Sequence, residues 1–134
     1  MPALSSLVLK DRATTPVDHT FVPNGVEAKV GTVVESNGTK VGDSKFSLSS
    51  RKTASGRYNA KLKLEVPVLV NETVNGVTRP SIIRVAYATC DFSFAAESTT
   101  QERDNIVGML ETALKKATTM VDKTVVGLEE VWGG

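Results

Sequence analysis

At 134 residues the chain has the length of one domain with room for a hydrophobic core, and a formal net charge of +1 leaves whole-chain charge silent about a polyanionic partner. A single cysteine, Cys90, excludes an internal disulfide framework and fits a reducing compartment. No apolar run approaches the roughly 18–20 residues of a membrane helix, and the opening Met-Pro-Ala-Leu-Ser-Ser lacks the basic start and apolar run of a secretory signal; the chain is expected to be soluble and intracellular when made.

Leu7-Val8-Leu9 and Thr20-Phe21-Val22 are short strand candidates separated by a polar stretch that contains Pro16, and they predict an N-terminal hairpin. Pro23-Asn24-Gly25 reads as a turn, Val30–Glu35 as a further strand, and Asn37-Gly38 as a second turn.

The next stretch is the most informative. Residues 45–63 contain six basic side chains and no acidic one: Lys45, Arg51, Lys52, Arg57, Lys61 and Lys63. The flanks are acidic, −1 over residues 1–44 and −4 over residues 64–134, so charge is polarised along the chain. In both Lys45-Phe46-Ser47-Leu48-Ser49-Ser50-Arg51 and Tyr58-Asn59-Ala60-Lys61-Leu62-Lys63-Leu64 the odd positions are mostly polar or basic and the even ones mostly apolar. Strand side chains alternate between faces. Two such strands paired across a short turn at residues 53–56 make a sheet with a basic top and an oily underside.

Residues 71–80 are polar, hold Asn75-Gly76 and end at Pro80; they predict an extended loop or hairpin tip. Residues 82–94 form a third long strand, with Tyr87 and Thr89 on the odd face and Cys90, Phe92 and Phe94 on the even one. Ile83, Arg84 and Val85 break the pattern and suggest that this end is covered on both sides. Ser98 or Thr99 then offers a helix cap with Gln101 or Glu102 three residues on. Ile106, Val107, Leu110, Ala113, Leu114 and Ala117 recur at helical spacing, and Val121, Val125 and Leu128 mark a second, shorter helix. Strands first and helices last predict an α+β fold, read as one domain over residues 1–134. Two terminal helices must cover a wide apolar sheet face, and long edge strands would stay unpaired. Edge-to-edge dimerisation with helices crossing onto the neighbour answers both problems; packing within a monomer is the alternative.

Enzyme chemistry finds little support. His19 is the one histidine, which with a single cysteine argues against a zinc site, and Cys90 lies on the apolar parity of its strand, where a buried core thiol is the plainer reading. No nucleotide-binding glycine motif occurs. The odd face differs. Lysines and arginines neutralise phosphates, hydroxyls donate to phosphates or base edges, and Tyr87 supplies a ring on which an unstacked RNA base can lie. Exposed sheets are often rich in Lys, Ser and Thr; the absence of any acid across residues 45–63 favours a nucleic-acid surface.

The ordered set formed by residues 45–67, the loop ending in Pro80, Arg84-Val85-Ala86-Tyr87-Ala88-Thr89, Asp91-Phe92-Ser93-Phe94 and Glu97-Ser98-Thr99-Thr100-Gln101-Glu102-Arg103 resembles the coat proteins of the single-stranded RNA bacteriophages, levivirus type. Leu7-Val8-Leu9-Lys10 and Pro23-Asn24-Gly25-Val26 extend the likeness over nearly the whole chain. It implies an N-terminal β-hairpin, a five-stranded antiparallel sheet and two C-terminal helices. It further implies a homodimer with one continuous sheet and interlocked helices, and a quasi-equivalent icosahedral shell around viral genomic RNA, assembled in the host cytoplasm. It implies an RNA operator hairpin on the inner sheet face, which represses replicase translation. By position the contacts fall on Lys45, Ser47, Ser49 and Arg51 of one strand, Lys61 and Lys63 of the next, Tyr87 as the stacking ring, Thr89 beside it and Val26 in an adenine pocket. Lys61 stands where better-known members carry a smaller polar residue, and Thr89 where they carry an amide or acid. Residues 71–79 resemble the segment that changes conformation between pentameric and hexameric environments. No catalysis, cofactor, metal, membrane or small-molecule substrate is expected. Two other readings stand beside this one: a small dimeric cellular RNA- or DNA-binding regulator that forms no shell, and a dimeric enzyme with a cleft near Tyr87.

Overall fold

The computed structural model describes residues 3–36 and 42–133. The turn expected at Asn37-Gly38 lies outside the described residues. The chain divides into a sheet unit ending at Ser93 and a helical unit beginning at Phe94.

The sheet unit is one six-stranded sheet in sequence order: β1 (Leu7–Lys10), β2 (Asp18–Glu27), β3 (Val30–Glu35), β4 (Ser44–Lys52), β5 (Tyr58–Val74) and β6 (Val77–Phe94). The hairpin and the five strands expected from sequence are both present because β2 serves twice. Its first half pairs with β1, from Leu7↔Phe21 to Lys10↔Asp18, and its second half pairs with β3, from Val22↔Val34 to Glu27↔Val30.

Pro23-Asn24-Gly25 therefore does not reverse the chain. It shifts the β2–β3 register between Pro23 and Gly25, and Gly25 takes φ 116°. Proline withholds a ladder N–H and glycine tolerates positive φ, so the trio suits a strand irregularity as well as a turn. The reversal falls instead on Ala28 and Lys29, at φ 51° and 67°, the left-handed backbone of a two-residue hairpin loop.

The other turns follow their residues. Thr53 N–H donates to the Arg57 carbonyl at 2.7 Å, and the Thr53 hydroxyl accepts from Arg57 N–H at 3.2 Å. Asn75 and Gly76, at φ 52° and 78°, close β5 onto β6, with the Thr73 and Thr78 hydroxyls 2.9 Å apart behind them. Residues 71–80 are thus a tight hairpin tip and not an extended loop. Of the residues at the start of β6 expected to be covered on both sides, Ile83 and Arg84 are exposed and Val85 is half-buried.

Among the described residues, Phe21, Val33, Gly42 and Ser44 are buried. Three of them share one face: Phe21 and Pro23 have the same parity, Pro23 pairs with Val33, and Glu35, two residues on, pairs with Ser44. In the helical unit, α1 (Thr100–Ala113) starts where Thr99 Oγ1 accepts from Glu102 N–H at 3.2 Å, as the capping pattern predicts. A second helix, α2 (Thr119–Val125), follows. Neither holds a buried residue, and no helix among the described residues is long and apolar enough to cross a membrane.

A left-handed conformation costs a non-glycine residue about 1–2 kcal/mol, and glycine's extra unfolded-state freedom returns part of that. Lys29→Gly should therefore stabilise the β2–β3 hairpin by up to about 1 kcal/mol in chemical denaturation. A loss of stability would contradict the positive φ at Lys29.

Candidate nucleic-acid interface

The site is built by the register between β4 and β5. Lys45 lies opposite Glu65, Ser47 opposite Lys63, Ser49 opposite Lys61 and Arg51 opposite Asn59. Directly opposed residues of an antiparallel pair project to the same face. The intervening pairs, Phe46↔Leu64 and Leu48↔Leu62, project to the other, where Val33 pairs with Phe46. Basic and hydroxyl side chains are gathered on one side and the aliphatic ones on the buried side.

β3 adds to the platform. Thr32 pairs with Ser47 and Val34 with Lys45, and the Thr32 and Ser47 hydroxyls lie 3.5 Å apart. From β6, Tyr87 joins the same side: Lys63 Nζ stands 5.4 Å from the centre of its ring, and the residue is 63% exposed. Thr89, two residues on, keeps that face by alternation. Near the far end Arg57 donates from Nε to Ser93 Oγ at 3.0 Å and from Nη2 to the Ser93 carbonyl at 3.4 Å, tying the β4–β5 turn to β6.

The β5–β6 hairpin cannot keep one unbroken alternation. Lys63–Tyr87 joins two odd residues across the strands, whereas Thr73–Thr78 joins an odd residue to an even one. A one-residue irregularity between them reconciles the two contacts. Cys90 is half-buried, on the parity opposite Tyr87.

The platform is mostly basic, with Glu65 and, by alternation along β6, Asp91 as its acidic members. Among the described residues, Lys45, Arg51, Lys61 and Lys63 enter no ion pair, although Glu65 lies across from Lys45. A second cation–ring contact, Lys52 Nζ 5.6 Å from the Tyr58 ring, joins a pair whose parity is that of the opposite face. No group of three or more His, Cys, Asp or Glu among the described residues is placed to hold a metal ion. Fixed positive charge, hydroxyl donors and one open phenol ring equip this face for phosphates and a stacked base.

Val26 does not join it. It pairs with Gly31, which has the parity of the buried Val33, so the register sets Val26 on the underside. The shift at Pro23–Gly25 and the two-residue loop at Ala28-Lys29 move the strand relative to the turn expected from sequence. The valine that alternation brings to the platform is Val30, one step beyond the Gly31↔Leu48 pair and hence beside Ser49. Thr32, Val30 and Val34 were missed because strand parity shows which residues share a face within β3 but not which residues of β4 they meet.

A profile of the levivirus coat protein family matches residues 2–132. The capsid protein of Pseudomonas phage PRR1 is 51% identical over 129 residues, covering 96% of this chain and 98% of that protein. Among solved structures, the virus-like particle of bacteriophage ESE058 superposes with a TM-score of 0.86 at 23% identity, covering 98% of this chain and all of that one. The bacteriophage GA protein capsid superposes with a TM-score of 0.82 at 25% identity, covering 97% and 98%.

Proposed function

The chain belongs to the levivirus coat protein family, and from that premise we propose that it is a shell-forming subunit whose basic sheet face binds RNA. It acts as a single coat-protein domain with a structural role and no catalytic one. Protomers pair along β6 into a homodimer with one continuous sheet, each lending its helices to the other. Dimers assemble into a quasi-equivalent icosahedral shell in the host cytoplasm and remain in the virion around viral genomic RNA. The tip at Asn75-Gly76 adapts to the different environments of such a shell.

The need for a partner rests on burial. A protomer whose buried apolar side chains, among the described residues, are Phe21 and Val33, and whose helices bury none, leaves most of its core-forming surface uncovered. At roughly 25 cal/mol per Å² of apolar area, that surface drives association. Strand β6 is long and lies at the edge of the sheet, an open template for an identical strand.

The RNA reading rests on one observation: Lys45, Ser47, Ser49, Arg51, Lys61, Lys63 and Tyr87 occupy one face with no ion pair among the described residues to neutralise them. On this face the cations hold phosphates, the hydroxyls of Ser47, Ser49 and Thr89 meet phosphate or base edges, and Tyr87 stacks on an unpaired base of a hairpin. Val30 takes the pocket-lining role that sequence position alone assigned to Val26. Operator binding by the dimer represses replicase translation and marks the genome for packaging.

Purified from an expression host, the protein should elute as megadalton particles containing RNA and show closed shells by electron microscopy. A stable RNA-binding dimer under assembly conditions would favour the cellular-regulator reading instead. Tyr87→Ala should weaken hairpin binding by roughly 1–3 kcal/mol while particles still form; equal affinity would remove Tyr87 as the stacking ring. Lys63→Ala should lower the slope of log affinity against log salt by about 0.7–0.9, the share of one phosphate contact. An unchanged slope would take Lys63 out of the contact set.

A further inference from the structure

His19 is the chain's one histidine, and the RNA reading gives it no task. It lies opposite Leu9 of β1, on the face that carries the buried Phe21. Both ring nitrogens meet a carboxylate. Nε2 is 2.7 Å from Oδ2 of Asp11, in the connection between β1 and β2. Nδ1 is 2.8 Å from Oε2 and 3.0 Å from Oε1 of Glu35, the last residue of β3. Asp11 is itself anchored: its Oδ1 accepts from the Ala13 N–H at 3.1 Å and the Val17 N–H at 3.0 Å. Glu35 stands opposite the buried Ser44 with a side chain 17% exposed.

A neutral imidazole has one N–H and one lone pair. It can donate to only one of these carboxylates and must aim its lone pair at the other. The imidazolium, with two N–H groups, satisfies both through charge-assisted bonds. We propose that Asp11, His19 and Glu35 form a proton-operated clasp: the protonated ring ties the β1–β2 connection, across β2, to the end of β3, and loss of the proton releases one carboxylate.

Other charged groups lie on the adjoining elements, among them Lys10, Asp18, Arg12 and Asp43. Lys10 and Asp18, a register pair 3.9 Å apart, have the opposite parity to His19 and point to the other face. Arg12 follows Asp11 in the connection, and Asp43 precedes Ser44 at the start of β4. The Asp11 bond, then the Glu35 bond, hold the His19 pKa above its ordinary 6.5. Asp11 is held at about 2, first by the Val17 N–H and then by His19. A raised pKa contributes stability that is full below 6.5 and is lost as pH rises through the folded value. Asp11 contributes above 3.8 and fails as pH falls toward about 2. The clasp is closed where Asp11 is ionised and His19 protonated, and it opens as pH rises through the raised His19 value.

With one histidine present, exchange of the imidazole C2 proton for deuterium, read by mass spectrometry on the full-length protein in its native assembly, reports His19 alone. The midpoint should lie above 6.5 in the wild type and fall toward 6.5 in Glu35→Gln. Amide exchange over residues 11–17, corrected for its intrinsic pH dependence, should accelerate several-fold across that midpoint, a step that His19→Gln lacks. A wild-type midpoint at or below 6.5, no step in the wild type, or an unshifted midpoint in Glu35→Gln overturns the clasp. The first two results come from the wild type, so the clasp can be refuted even where a variant fails to fold.

Discussion

The register of β4 against β5 is the constraint from which the rest follows. Opposed residues share a face, and successive residues alternate. A slip of one residue would bring Lys45, Lys61 and Lys63 to the side of Phe46, Leu62 and Leu64, burying charge and exposing the aliphatic face at once. The pattern tolerates no such compromise because both strands alternate cleanly along the paired length from Lys45 to Ser49. The turn from Thr53 to Gly56 holds that register at its closed end: the Thr53 side chain and backbone both bind Arg57, and Arg57 in turn holds Ser93. The charged platform and the apolar underside are therefore two consequences of one pairing.

The same pairing creates a deficit. It produces a continuous apolar underside, yet the described residues bury little of it, and neither helix buries a residue. A chain in this condition gains most of its stability only when something covers that surface, so folding and association become linked through protein concentration. In the proposed dimer, shared helices supply the cover and β6 finds its missing neighbour. Assembly is then a continuation of core formation, which is why the chain can carry so many exposed valines without being a poor fold.

What could be read from the sequence divides along a physical line. Alternation is local, so the faces of β4 and β5, the opposite parity of Cys90 and Tyr87, and the Thr99 cap were all legible. Which strand meets which residue of its neighbour is not local. Pro23-Asn24-Gly25 carries turn chemistry that serves equally for a register shift, and Ala28-Lys29, the actual reversal, carries none of the usual signals because neither residue favours positive φ. That displacement takes Val26 from the platform and brings Val30 to it. The β5–β6 tip was half legible: Asn75-Gly76 names the turn type, but only the two cross-strand contacts reveal that a residue must be absorbed between the tip and Tyr87.

Lys63 and Tyr87 make the proposed recognition less simple than a sum of contacts. In the free protein the ammonium stands 5.4 Å from the ring centre, where it already gains from the ring's electron-rich face. A base that stacks on that same face must displace the ammonium, and an ammonium drawn to a phosphate must leave the ring. Each event removes the competitor of the other. Stacking and charge neutralisation are thereby coupled, and a ligand offering both together gains more than one offering either alone. Double-stranded RNA offers phosphates with its bases already stacked; a hairpin loop offers phosphates with a base free to move. On the proposed reading, the contact between one lysine and one tyrosine favours a loop over a duplex before any base edge is read.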